Sequence, residues 1–143
     1  MARRHQADPD APHVVICGAG FGGLSAIKRL TRAGMRVTLV DGHLYSTFQP
    51  LLYQVATAGL NPGDVAYPAG GFAGRHGAIF RRGELAAIDP ASRRIKLGNG
   101  LELGYDYLIL ATGVSASYYG IDGAAEHTFG LYTRDDAIGC AIT

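Results

Sequence analysis

Several features that would assign this chain quickly are missing from it. It has only two cysteines, Cys17 and Cys140. They are far apart in sequence and form no C-x-x-C pair, which excludes a disulfide framework and a dithiol redox centre. Net charge is close to absent, with 13 basic and 12 acidic residues, so nothing favours a nucleic acid or an anionic membrane as partner. No apolar run approaches the roughly 18 residues needed to span a bilayer. Arg3 and Arg4 near the start are not followed by an apolar stretch, so a secretory signal is not expected. The five histidines show no metal-ligand spacing, and no G-x-S-x-G elbow of an α/β-hydrolase occurs.

What the chain has in excess is glycine, 21 in 143 residues, without the period of a fibrous protein. The first four cluster usefully. His13–Cys17 (HVVIC) is a short β-branched run that reads as a buried parallel strand. Gly18-Ala19-Gly20-Phe21-Gly22-Gly23 follows at once. A helical pattern comes next, with Leu24, Ile27 and Leu30 on one face and Lys28, Arg29 and Arg32 on another, closed by Gly34. Arg36–Val40 is a second strand and ends at Asp41. A G-x-G-x-x-G alone is a weak signal. Between a strand and an amphipathic helix it becomes a dinucleotide-binding fingerprint. Gly18 permits the tight turn, Gly20 leaves room for a pyrophosphate, and Gly23 lets helix and strand pack closely. The phosphates would then lie at a helix N-terminus. Asp41 stands 23 positions after Gly18, near the usual spacing of about 20 for a ribose-binding acid. A carboxylate there repels a 2′-phosphate and disfavours NADP. The fingerprint does not choose between FAD and NAD, since both carry adenosine diphosphate.

Beyond this unit the reading coarsens. Leu51–Ala58 fits a short helix, and Asn61-Pro62-Gly63-Asp64 resembles a helix start. Ala78–Phe80, Glu84–Ile88, Arg93–Leu97 and Leu101–Leu103 read as strands of a small antiparallel meander used as a crossover. Tyr107–Ala111 reads as another buried strand, ending in Thr112-Gly113. Thr133-Arg134-Asp135-Asp136 carries a capping signature, and the chain ends within the helix it opens. The expected architecture is an α/β, Rossmann-like FAD/NAD(P)-binding domain over residues 13–143, truncated at its C-terminus, after a disordered tail at 1–12.

Three segments occur in an order that resembles the N-terminal part of type II NADH dehydrogenases, the single-subunit NADH:quinone oxidoreductases within the FAD-dependent pyridine nucleotide-disulfide oxidoreductases. They are the glycine fingerprint, His43–Leu60 (HLYSTFQPLLYQVATAGL) and Tyr105–Gly113 (YDYLILATG). The resemblance covers about residues 13 to 138. It implies FAD as cofactor and NADH as co-substrate in the complete enzyme, with quinone as acceptor, and a cytoplasmic or peripheral membrane location. It further implies that Gly18, Gly20, Phe21, Gly22 and Gly23 line the FAD pyrophosphate. Asp41 would hold the adenosine ribose and the Leu85 backbone would lie beside the adenine. Gln49 and Pro50 would lie near the isoalloxazine, and Ala111, Thr112 and Gly113 would pass close to the cofactor. The second glycine-rich fold that such enzymes use for NADH does not occur in these 143 residues. Two other expectations therefore stay open: a dinucleotide-binding module without turnover, and an inactive fragment of a longer enzyme.

Overall fold

A computed structural model of the chain describes residues 8–142. The elements run β1 (His13–Cys17), α1 (Phe21–Arg32), β2 (Arg36–Asp41), β3 (Tyr45–Thr47), a 3₁₀ turn (Gln49–Leu51), α2 (Leu52–Ala56), β4 (Ala66–Pro68), α3 (Ala69–Arg75), β5 (Ile79–Arg82), β6 (Leu85–Asp89), β7 (Arg94–Leu97), β8 (Glu102–Gly104), β9 (Tyr107–Leu110), α4 (Ala124–His127) and α5 (Arg134–Ala141). They divide into two compact units. One comprises the described part of Met1–Ser46 with Pro68–Gly113, the other Thr47–Tyr67 with Val114–Thr143. Of the expected tail 1–12, residues 1–7 lie outside the described residues. Residues 8–12 form a turn in which Ala11 N donates to Asp8 O at 3.0 Å.

The first unit is built on a parallel sheet of order β5-β2-β1-β9. Side-chain alternation explains its layers. Val14 and Ile16 of β1, with Val37 and Leu39 of β2, pack against Ile27 of α1 and against Ala69 and Ala73 of α3. The intervening residues Val15, Cys17 and Val40 pack against Ile95 and Leu97 of β7. Ile16, Ile27, Leu39, Ile95 and Leu97 are all at most 1% exposed. At about 2 kcal/mol for each such side chain, these two clusters are the main favourable term holding the sheet between its layers. Helix α1 stops because Gly34, at φ +82°, adopts the left-handed conformation. Gly34 N then donates to Thr31 O and Met35 N to Leu30 O, both at 3.1 Å, closing a Schellman turn.

Three expectations are corrected here. Ala78–Phe80 was expected in the antiparallel meander, yet β5 pairs in parallel with β2, Thr38 opposite Ile79 and Asp41 opposite Arg82. Only β6-β7-β8 form the antiparallel meander. A run as short as Ile79–Arg82 (IFRR) carries no signal of which strand it pairs with, so its sequence does not separate the two. Tyr107–Ala111 was expected to be a fully buried strand. Instead β9 ends the sheet order, and Tyr107 and Leu110 are 59% and 57% exposed. Asn61–Asp64 opens no helix. Asn61 Oδ1 accepts from Gly63 N at 2.9 Å, forming a turn, and the chain passes directly into β4.

In the second unit, Leu52 and Val55 of α2 pack with Val65 and with Ala137 of α5. The expected capping box forms. Asp136 N donates to Thr133 Oγ1 at 3.1 Å and Thr133 N donates to Asp136 Oδ2 at 2.7 Å. The Thr133 N–H bond is the main cause holding the Asp136 carboxyl below its ordinary range. Among the described residues no helix is long and apolar enough to cross a membrane.

One polar pair is embedded in the first unit. His13 Nε2 lies 2.8 Å from the hydroxyl of Thr38, which is only 5% exposed. Burial, reinforced by the Arg36 charge, lowers the His13 pKa below 6.5. The folded state therefore binds fewer protons than the unfolded chain in the window beneath 6.5, and the stabilisation present above that pH is lost as pH falls through it. Thermal unfolding between pH 8 and 5 should show the midpoint falling below about pH 6.5, and His13→Gln should flatten that slope. An equal slope in both proteins would remove His13 as its source. The lowered Asp89 and Asp136 carboxyls act beneath 3.8, outside that window.

Candidate functional site

The glycines of the fingerprint divide by what surrounds them. Gly18 has φ +111°, and a β-carbon on it would lie 2.1 Å from Ala111 O. A β-carbon on Gly23 would lie 1.9 Å from Gly18 O. Both positions exclude any side chain, because helix α1 and the end of β9 pack directly on the turn. Gly20 is different: a β-carbon there meets nothing within 4 Å. It is also the N-cap of α1, with no side-chain cap and no acidic residue in the first helical turn. The helix thus presents its N-terminal end, where orphan N–H groups and the dipole favour an anion, towards open space bounded by glycine. Phe21 opens the helix and is 54% exposed. A β-carbon on Gly22 would lie 3.7 Å from the Ala111 side chain, at ordinary contact distance.

The C-terminal strand ends are fixed by main-chain bonds. Gly18 N donates to Val40 O and Ala111 N to Cys17 O, each at 2.8 Å. Gly83 N donates to Asp41 O at 2.9 Å, bringing the segment after β5 beside the end of β2. Asp41 is tied down on both oxygens. Oδ2 accepts from Ala19 N at 2.6 Å and Oδ1 from His43 N at 2.7 Å, with the His43 ring 3.4 Å away. The acid at the end of β2 thereby clamps the glycine turn at the end of β1.

These segments enclose an open cleft of about 490 Å³, lined among others by Gly18, Asp41, His43, Glu84, Leu85 and Thr112. Its size suits a small-molecule ligand, and it lies outside the carboxyl ends of the strands, where open α/β sheets place such sites. Four of the residues expected from sequence line it: Gly18, Asp41, Leu85 and Thr112. Gly20, Phe21, Gly22 and Gly23 continue from Gly18 into α1, and Ala111 and Gly113 flank Thr112. Gln49 and Pro50 belong to the second unit, in the 3₁₀ turn, where Gln49 Nε2 donates to Tyr132 O at 3.4 Å. His43 and Glu84 were not singled out from sequence. Only the sheet order, which sets the end of β5 beside that of β2, brings Glu84 to the cleft. Cys17 also lines the cleft but is 2% exposed, and burial pushes its thiol up to about 11, so it is not a nucleophile at neutral pH. Among the described residues no cluster of histidine, cysteine and carboxylate side chains suits a metal ion.

Fold and cleft together define a Rossmann-like dinucleotide-binding domain. Comparison with known proteins narrows this. Residues 12–140 match the family model described as pyridine nucleotide-disulphide oxidoreductase, and the chain belongs to that family. It is 39% identical over 144 aligned residues to the type II NADH:quinone oxidoreductase Ndh of Mycobacterium tuberculosis, and 43% identical over 136 to NdhA of the same organism. Those alignments cover 92% and 87% of this chain but 30% and 27% of the relatives, so the chain corresponds to less than a third of their length. The sulfide:quinone oxidoreductase structure from Aquifex aeolicus superposes with a TM-score of 0.86 at 25% identity, over 92% of this chain and 31% of that one.

Proposed function

We propose that this chain is the FAD-binding part of a flavoprotein that oxidises NADH and passes the electrons to a quinone. The observation that carries the reading is the contrast among the glycines. Gly18 and Gly23 are closed by backbone, while Gly20 opens on empty space at an uncapped helix N-terminus. That is what a pyrophosphate needs: donors, a favourable dipole and no side chain in the way. The matching relatives, both named as type II NADH:quinone oxidoreductases, support the choice of FAD over a bare nucleotide.

On this reading the adenosine diphosphate half of FAD lies in the cleft. The pyrophosphate takes the Gly18–Gly23 turn, the ribose lies by Asp41, and the adenine lies by the Leu85 backbone. Ala111, Thr112 and Gly113 border the cofactor. When bound, the flavin supplies the chemistry: it accepts a hydride and gives up electrons. The chain's own residues bind and orient it. Asp41 has a positioning role besides ribose binding, since it fixes the Ala19 N–H and with it the turn. Two free cysteines, one of them buried, fit a reducing cytoplasmic compartment. The NADH and quinone sites are assigned to parts of the enzyme beyond this third.

A titration of the purified chain with FAD, followed by flavin fluorescence, tests the proposal. Saturable binding that ADP displaces is the expected result. A chain folded by circular dichroism that leaves flavin fluorescence unchanged would sink it.

A further inference from the structure

Four strands end at the cleft, in the sheet order β5-β2-β1-β9, so that β2 and then β5 lie on the side of β1 away from β9. Neighbouring strands lie about 4.8 Å apart. A ligand whose phosphates sit on the turn after β1 therefore meets the end of β2 next, and the segment after β5 last. Asp41 marks the second position and Glu84 the third. The two carboxylates differ in what already holds them. Asp41 accepts from Ala19 N on one oxygen and from His43 N on the other. Glu84 is exposed and its side chain has no hydrogen bond or ion pair among the described residues, while its main-chain carbonyl is fixed by Gly98 N at 2.9 Å. Its side chain lies over Gly42, so that a β-carbon there would meet Glu84 Cγ at 2.9 Å and Oε1 at 3.3 Å. The unengaged carboxylate is thus held beside the residue that follows Asp41. The cleft lining contains Asp41 and Glu84 and neither lysine nor arginine. Arg82, whose Nε donates to Gly42 O at 3.1 Å, does not line it.

We propose that Glu84 is a second ribose-reading carboxylate, which accepts from a ribose hydroxyl and whose charge bars ligands with a 2′-phosphate from the cleft. This rests on the reading that the cleft holds an adenosine diphosphate moiety. Asp41 has spent much of its acceptor capacity on the turn, so the free acceptor and the uncompensated charge are on Glu84. A hydroxyl donates to it. A phosphate in place of that hydroxyl brings about two negative charges against one. The cleft would then reject 2′-phosphorylated dinucleotides, which otherwise share the adenosine diphosphate half of its ligand.

The test is a calorimetric comparison of ADP-ribose with 2′-phospho-ADP-ribose on the full chain. The wild-type protein should prefer ADP-ribose. Glu84→Gln, which keeps size and loses charge, should cut that preference about tenfold, and Glu84→Lys should cut it further. The cut should shrink in about 0.5 M salt, because the carboxylate is exposed and screened. A structural effect of the substitution would not depend on salt in that way. A preference unchanged within about twofold in folded Glu84→Gln and Glu84→Lys would overturn the proposal, as would a cut of equal size at low and high salt. Wild-type protein that binds neither ligand would instead refute the adenosine diphosphate reading itself, and this inference with it.

Discussion

Gly23→Ala is expected to destabilise the first unit by about 3 kcal/mol or more, a large part of the roughly 5–15 kcal/mol that holds a domain folded. The added β-carbon would stand 1.9 Å from Gly18 O, and Ile16 Cγ2 closes the space at 3.3 Å. Neither obstacle is the end of a flexible side chain. The carbonyl belongs to a turn pinned by Gly18 N on Val40 O and by Ala111 N on Cys17 O. Relief requires α1 to lift from β1, which opens the cluster of Ile16, Ile27 and Leu39. Urea unfolding should show the midpoint falling by about 1–2 M, given the slopes usual for small proteins. A midpoint within about 0.3 M of wild type would mean that the turn gives way easily.

Gly20→Val should do the reverse. Its backbone, φ −78° and ψ −169°, is open to any residue, and a β-carbon meets nothing within 4 Å. Stability should change by less than about 1 kcal/mol, the scale of an N-cap substitution. FAD or ADP affinity should fall by about 100-fold or more, because the branched side chain fills the space left for the pyrophosphate. The pair of variants separates two roles that one motif combines: Gly23 builds the turn and Gly20 admits the ligand. Loss of binding in Gly23→Ala alone, with Gly20→Val binding normally, would place the phosphates elsewhere.

How far these roles were legible depends on where the physics is local. The strand–turn–helix unit could be read because its signals are contiguous: β-branched residues at 13–17, a glycine turn, and an apolar face at Leu24, Ile27 and Leu30. The capping box at Thr133 was legible for the same reason, since a cap is settled within four residues. Long-range choices were not. Ile79–Arg82 is two apolar residues followed by two arginines, and nothing within it says whether its neighbour is β2 in parallel or the meander. The exposure of Tyr107 and Leu110 is a fact about sheet order, and YLIL as a string looks buried. Asn61 has the side chain of a helix cap, but the four residues after it already turn into β4. The site shows the same limit. Asp41 was found by its spacing from Gly18. Its bond to Ala19 N was not foreseeable. The segment of Glu84 was reached only through the resemblance, which sets the neighbouring Leu85 beside the adenine, and the β2–β5 pairing is the physical reason that residues 41 and 84 share one cleft.

The most direct test of the central claim is a ¹⁵N-resolved titration of the chain with ADP. The account predicts that amide shifts cluster at Gly18–Gly23, Asp41–His43, Gly83–Leu85 and Thr112, with the largest at the N-terminus of α1. Saturable shifts confined to other residues, with the Gly18–Gly23 amides unmoved, would contradict it.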